Sequence, residues 1–306
     1  MYKKFKFLIR KYIGIFQGLF ICDSLIVKTL ENKITIFCYH DITDNPSEFC
    51  IKYNLHVGLK NFKKQMNYIS QYFEIIDIRS LSDPSFIMPK NAAIISFDDG
   101  FKGAFDNGLS YLDKIKIPAV MFLNMDSVLN KNPIVSAVAK YLEENKSKYP
   151  LWNIKKNYHN HINYSEYSKF ICNDRLRSLV LDYQGLMANE SDLLNLKISK
   201  YVTFSNHYFQ HFDSCVLNKF EVEYQINENE IKLKKYNNYA KFFAFTNGSF
   251  TKEYICLIDS FKIFHKILTS SGTASCKDSL VLDRIAIDDS FVNKFSMKAA
   301  LYKAIR

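Results

Sequence analysis

The chain is 306 residues long and 48% hydrophobic, which provides a sizeable core for one large α/β domain or two small ones and excludes a disordered chain. It carries 41 Lys and Arg against 31 Asp and Glu, a net charge of +10 that favours an anionic partner such as a membrane surface; the basic residues form no stripe, so no nucleic-acid partner is expected. Seven cysteines without a CxxC pair argue against a disulfide framework and for a reducing compartment, the cytoplasm.

The opening "MYKKFKFLIRKYIGIFQGLFICDSL" has a basic front and an apolar stretch from Tyr12 to Cys22. That stretch is too short to span a bilayer and lacks a small-residue cleavage site. Its Lys and Arg interleave with Phe, Leu and Ile, which suits either a helix lying on the inner face of an anionic membrane through residues 1–22 or an ordinary capping helix. Residues 1–32 are therefore set apart as a basic amphipathic segment before a domain of residues 33–306.

"KITIFCYHDI" reads as a buried strand ending at His40. "VGLKNFKKQMNYISQYF" carries Leu59, Phe62, Met66, Ile69 and Phe73 at the helical period. Short strands follow in "EIIDI" and "AAIISF", then a helical "FDNGLSYLDKI" and a strand in "IPAVMFL". Strands alternating with helices predict a mainly parallel sheet, open or closed into a barrel, with its site at the C-terminal ends of the strands. Residues 124–187 loosen into polar and aromatic text and read as an insertion. Strand and helix resume in "DLLNLKISKYVTFSNHYFQHF", the charged helix "NKFEVEYQINENEIKLKK" and the strand "KFFAFTNGSF", and the chain closes with a helical "NKFSMKAALYKAI".

Two places carry chemistry. Asp98 and Asp99 stand side by side at the end of a buried strand, where adjacent carboxylates resist ionising together; the pair implies either a bound cation or an acid/base task. His207 and His211 are four residues apart, which puts both imidazoles on one face if the segment is helical and suits two nitrogen ligands on one divalent metal, although such a pair also arises incidentally. His56, His159, His161 and His265 match no motif.

Taken in order, the strand-end "YH" at 39–40, "SFDDG" at 96–100, "NHYFQH" at 206–211 and "FAFTNG" at 243–248 resemble the polysaccharide deacetylase family, which shares the NodB homology domain and is also called carbohydrate esterase family four. The resemblance runs from Lys33 to about Asp288, and implies a distorted, incomplete (β/α) barrel with an insertion between the two metal motifs. It implies further that Asp98 is the general base, that Asp99, His207 and His211 hold one divalent metal, and that Asn247 lends a backbone N–H to the oxyanion. In a circularly rearranged subgroup resembling the poly-N-acetylglucosamine deacetylases, the general acid comes from an N-terminal "YH" strand, which makes it His40 here. Arg284, in "LVLDRIAI", stands near a late strand whose arginine pairs with the base. Two departures are Tyr208, where Ser or Thr is usual, and Thr246, where proline is usual.

The activity so implied is hydrolysis of the amide of an N-acetylated amino sugar in a glycan or a lipid- or nucleotide-linked precursor of a bacterial surface polysaccharide. Zinc is the default ion for such a donor set, with nickel, cobalt or iron open. Trp152 and the tyrosines of the insertion offer rings for sugar stacking or for plain packing. The competing readings are a metal-free glycan-binding member of the fold and a metal phosphoesterase.

Overall fold

The computed structural model describes residues 12–152, 154–156, 160–276 and 278–305. Residues 1–11 of the expected membrane segment, and His159, lie outside them. The strands in chain order are β1 (Lys33–Tyr39), β2 (Asp41–Ile42), β3 (His56–Val57), β4 (Glu74–Ile75), β5 (Asn91–Asp99), β6 (Ala119–Leu123), β7 (Lys155–Lys156), β8 (Asn160–His161), β9 (Val202–Asn206), β10 (Tyr239–Ala244), β11 (Lys266–Leu268), β12 (Val281–Leu282) and β13 (Arg284–Ala286).

One sheet organises the molecule, in the order β12-β11-β10-β9-β6-β5-β1-β13, with every neighbour parallel. β4 adds to β5 at Ala92 and Ala93, below the point where β6 takes over from Ile95 onward, so this side of the sheet is shared by two short partners. Only Asp283 separates β12 from β13, so a single segment pairs with β11 through its first half and with β1 through its second. The sheet thus curls until its two edges reach one short strand; the ladders there span two and three residues, leaving a distorted, incompletely closed barrel. β5, β6 and β9 are buried at almost every residue, polar ones included, because both faces of the sheet are covered, as parallel sheets require.

Side chains alternate between the two faces. Ile34, Ile36, Ala92, Ile94, Val120, Phe122, Phe242, Ala244, Leu268 and Leu282 form one core cluster. The alternate residues, among them Ala93, Ile95, Phe97, Met121 and Phe204, pack with helical residues such as Phe62, Met66 and Leu109. Continuing the first set by steps of two brings Cys38, His40, Asp98, His207 and Arg284 onto one face at the C-terminal strand ends.

The segment 124–187 is largely helical: Val135–Glu144 packs on the β7–β8 ribbon and, with Tyr164–Ile171 and Asp174–Gln184, encloses a second apolar cluster, whereas Met125–Asn130 buries Met125 and Val128 in the main core. Trp152 packs edge-on against Phe170 at 6.2 Å, so its ring serves packing. At the other end, Ile26 and Leu30 of the helix Asp23–Leu30 are buried with Met297 and Leu301 of the helix Lys294–Ile305.

Candidate active site

β5 ends in the two carboxylates, and its backbone explains the glycine that follows. Asp99 has φ +71° and Gly100 φ +93°; a Cβ on Gly100 would lie 2.9 Å from Leu123 Cδ2 as well as strained, so only glycine turns the chain here without cost. The turn swings Asp98 and Asp99 toward different partners although they are adjacent.

Arg284 grips Asp98 with two parallel hydrogen bonds, Nη1 to Oδ1 at 2.6 Å and Nη2 to Oδ2 at 2.8 Å. Its Nε donates to the Thr269 carbonyl at 3.0 Å and its plane lies 5.4 Å over the Phe122 ring, so the guanidinium is fixed at both ends. The Asp283 carboxylate, which accepts from the hydroxyls of Thr269, Ser271 and Thr273, pins the kink from which Arg284 departs. Burial would raise the Asp98 pKa, but the charge of Arg284, followed by that of His207, outweighs it and holds the carboxyl below its ordinary value. The Cys38 thiol approaches Asp98 Oδ2 at 3.5 Å, and burial pushes that thiol well up.

Asp99 faces the imidazoles. Its Oδ1 lies 3.0 Å from His211 Nε2 and 3.4 Å from His207 Nε2, yet it has no hydrogen-bond partner although the residue is 3% exposed. His207 donates Nδ1–H to the Ala244 carbonyl at 2.8 Å, which fixes its tautomer and turns Nε2 toward Asp99. An orphaned, buried carboxylate oxygen converging with two imidazole nitrogens is the donor set of a divalent-metal site with open positions, and these residues fit such an ion. Burial opposes the ionised form of Asp99, but His211 and His207 overcome it and hold its carboxyl well below the usual range.

The helical reading of 207–211 does not hold. The segment is an irregular loop in which Tyr208 and His211 both have positive φ, 61° and 62°, so the imidazoles converge through left-handed kinks and not through a helical i,i+4 relation. Amides hold the loop in place. Asn124 Nδ2 donates to the Tyr208 carbonyl at 3.0 Å and also to that of His207. Asn206 Oδ1 accepts from Tyr208 N at 2.9 Å and from Asn229 Nδ2 at 3.0 Å. The Tyr208 ring, at a motif position where a small hydroxyl is usual, packs edge-on at 4.9 Å from Phe243, and its hydroxyl meets Ser214 Oγ at 2.8 Å. The bulky residue is thus accommodated in the core below the loop.

The remaining expected residues line the same cavity of about 240 Å³. His40 leaves β1 half-buried beside Cys38 and Asp98, and burial lowers its pKa against the opposing pull of Asp99 and Asp98. Asn247 sits in the tight turn Thr246–Gly248 with φ +56°, and Thr246 anchors that turn by donating its hydroxyl to the Phe212 carbonyl. The structure therefore gathers His40, Asp98, Asp99, His207, His211 and Asn247 around one cavity, with Arg284 behind Asp98.

Solved structures share this architecture. The chain is similar to IcaB from Ammonifex degensii, with 14% identity, 88% of this chain and 97% of that one covered, and a TM-score of 0.58. It is similar to a polysaccharide deacetylase from Bacillus cereus, at 15% identity over 89% of this chain and 69% of that one with a TM-score of 0.59. A de-N-acetylase from Aggregatibacter actinomycetemcomitans matches at 11% identity over 84% and 95% with a TM-score of 0.55. The fold is that of the polysaccharide deacetylases. At these identities the likeness is one of fold, and no protein-family model and no curated protein matches the sequence.

Three parts of this deacetylase-fold site were absent from the sequence reading: the Cys38 thiol beside Asp98, the asparagine clamp on the histidine loop, and the cavity wall that the insertion supplies through Ser136 and Lys140. Cys38 was readable in principle, two residues before His40 on the same strand face. The clamp and the wall depend on contacts between distant segments and leave no local signal.

Proposed function

We propose that this chain is a metal-dependent N-deacetylase that hydrolyses the acetamido group of an amino sugar in a glycan or glycan precursor. The observation that carries this reading is the unpartnered Asp99 Oδ1 facing two imidazoles while its neighbour Asp98 is clamped by Arg284. Asp99, His207 and His211 would hold the ion, zinc by preference for two nitrogens and one oxygen. When bound, such an ion supplies Lewis-acid activation of water and of the amide carbonyl.

The protein's own groups do the rest. Asp98, kept ionised by Arg284, takes the proton of the attacking water. To Asn247, in the cavity-lining turn Thr246–Gly248, we assign the backbone N–H that meets the oxygen that gains charge. His40, on the cavity wall, delivers a proton to the departing sugar nitrogen. Two of the similar structures are a polysaccharide deacetylase and a de-N-acetylase, which supports the same reaction class.

The test is acetate release from N-acetylated chito-oligosaccharides by the metal-loaded protein. Release that is lost in Asp98→Asn and His40→Ala supports the assignment; an unchanged rate in either variant contradicts its role.

No single helix among the described residues is long and apolar enough to cross a membrane. The helix Tyr12–Leu19 and the turn after it nevertheless expose Tyr12, Phe16 and Phe20 at 64%, 63% and 77%. With Lys and Arg crowding residues 3–11 of the sequence, we propose that this face rests on the anionic inner surface of a cytoplasmic membrane. Phe16→Ser with Phe20→Ser is expected to weaken flotation with anionic vesicles; equal flotation of the wild type with neutral and anionic vesicles counts against this placement.

A further inference from the structure

The two imidazoles of the candidate metal site are held differently. His207 is oriented by the bond from its Nδ1 to the Ala244 carbonyl, whereas the Nδ1 of His211 is buried with no hydrogen-bond partner among the described residues. A ligating histidine is ordinarily aimed by a bond to its second ring nitrogen. His211 lacks that bond and its backbone stands at φ +62°, so the direction of its Nε2 toward Asp99 depends on how firmly the preceding residue is held.

That residue, Gln210, is tied through both its main chain and its side chain. Its N–H donates to Gln225 Oε1 and its Oε1 accepts from Gln225 Nε2, both at 2.8 Å, and its carbonyl accepts from the Val135 N–H at 3.3 Å. Its Nε2 donates to Asp126 Oδ2 at 3.3 Å. Asp126 grips the same loop a second time, because its own N–H donates to the Phe209 carbonyl at 3.1 Å.

Asp126 is 2% exposed, a burial that a carboxyl group tolerates only with hydrogen-bond partners around it. Asn130 Nδ2 donates to Oδ1 at 2.6 Å, and Asn132 Nδ2 lies 3.2 Å from both oxygens. The left-handed turn at Lys131, φ +55°, lets the amides on both sides of it reach one carboxyl. The Tyr167 hydroxyl stands 3.4 Å from Oδ2 and donates at 2.8 Å to the Pro133 carbonyl. Neither Asp126 nor Gln210 lines the cavity, so their route to the site is the histidine loop.

We propose that Asp126 is a positioning residue for the metal centre: acting through Gln210, it fixes the turn that aims His211 and so sets metal affinity from outside the cavity. This rests on the metal-centre reading above and deepens it, since it couples the start of the insertion to the ion.

The experiment measures zinc affinity of the full chain by competition with a chelator, together with the visible spectrum of the cobalt-loaded protein. Asp126→Ala and Gln210→Ala should each weaken zinc binding about 10- to 100-fold and alter the cobalt spectrum. The double variant should lose no more than the larger single loss, because both changes break one linkage. The exchange of Asp126→Asn with Gln210→Glu reverses donor and acceptor across the contact, and should stay within about 3-fold of wild type. Leu142→Ala opens a cavity in the insertion core without touching the network, and should lower stability while leaving zinc affinity unchanged. Should Asp126→Ala fail to fold, Gln210→Ala and the exchange pair decide by the same criteria. Unchanged affinity in either single variant, additive losses in the double, an exchange pair as weak as the singles, or an equal loss in Leu142→Ala overturns the inference and leaves the metal centre standing. A wild type that binds no zinc overturns both.

Discussion

Asp98 is held by Arg284 through bonds of 2.6 and 2.8 Å, while the adjacent Asp99 keeps one buried oxygen without a partner. Removing the guanidinium should separate the two roles. Arg284→Gln leaves a buried carboxylate uncompensated, for which a stability loss of about 3–5 kcal/mol is expected in denaturant melts. The sign in pH follows from the depressed Asp98 pKa: the base is ionised above it, and activity falls as pH drops through it. Without Arg284 the pKa rises, so the acid limb of the kcat/KM profile should move to higher pH. An unshifted acid limb in Arg284→Gln would contradict the role given to the pair. A second carboxyl, Asp41, behaves oppositely: burial pushes its pKa up to about 7, against the backbone N–H groups of Ile42, Gly103 and Ala104. The folded state then holds a proton that the unfolded chain releases near pH 4, so stability declines between roughly pH 4 and 7, at about 1.4 kcal/mol per unit. Asp41→Asn should flatten that decline in urea melts run across this range.

The histidine loop is the element on which the site depends, and its support is side-chain amide and aromatic packing. Tyr208→Ser would supply the hydroxyl usual at this position, yet it removes a ring buried against Phe243. The expected cost is about 3–5 kcal/mol by thermal or urea denaturation, because the cavity left behind outweighs any new hydrogen bond. Asn206→Ala frees the loop from Tyr208 N and Asn229 and should weaken metal affinity about 10- to 100-fold by competition with a chelator. The contrast between motif and loop shows what the sequence could convey. The strand ends were legible at His40 and Asp98, where a largely apolar run stops and the period of two carries each to a known face. The path from His207 to His211 was not, since two non-glycine residues adopt left-handed backbone that nothing in their identity announces. The insertion read as loosely ordered text because its helices are short and bury aromatic residues in place of a clean apolar stripe, and its contribution to the cavity, Lys140, depends on packing between remote segments.

Over the whole molecule, the segment 281–286 joins the two edges of the sheet and delivers Arg284 to Asp98, 186 residues away in the chain. Docking of this segment on the sheet and assembly of the site are therefore coupled, and a chain that leaves it undocked should lose the guanidinium that keeps Asp98 ionised. The net charge of +10 belongs to the same scale, and predicts that vesicle binding weakens with added salt. The central claim, that Asp99, His207 and His211 form a metal centre serving Asp98, is tested most directly by the metal content of the purified wild type, Asp99→Ala and His207→Ala, each checked for folding by circular dichroism. The structure predicts one equivalent of divalent metal in the wild type and its loss from both folded variants; a wild type that binds no divalent ion, or variants that retain it fully, would contradict the account.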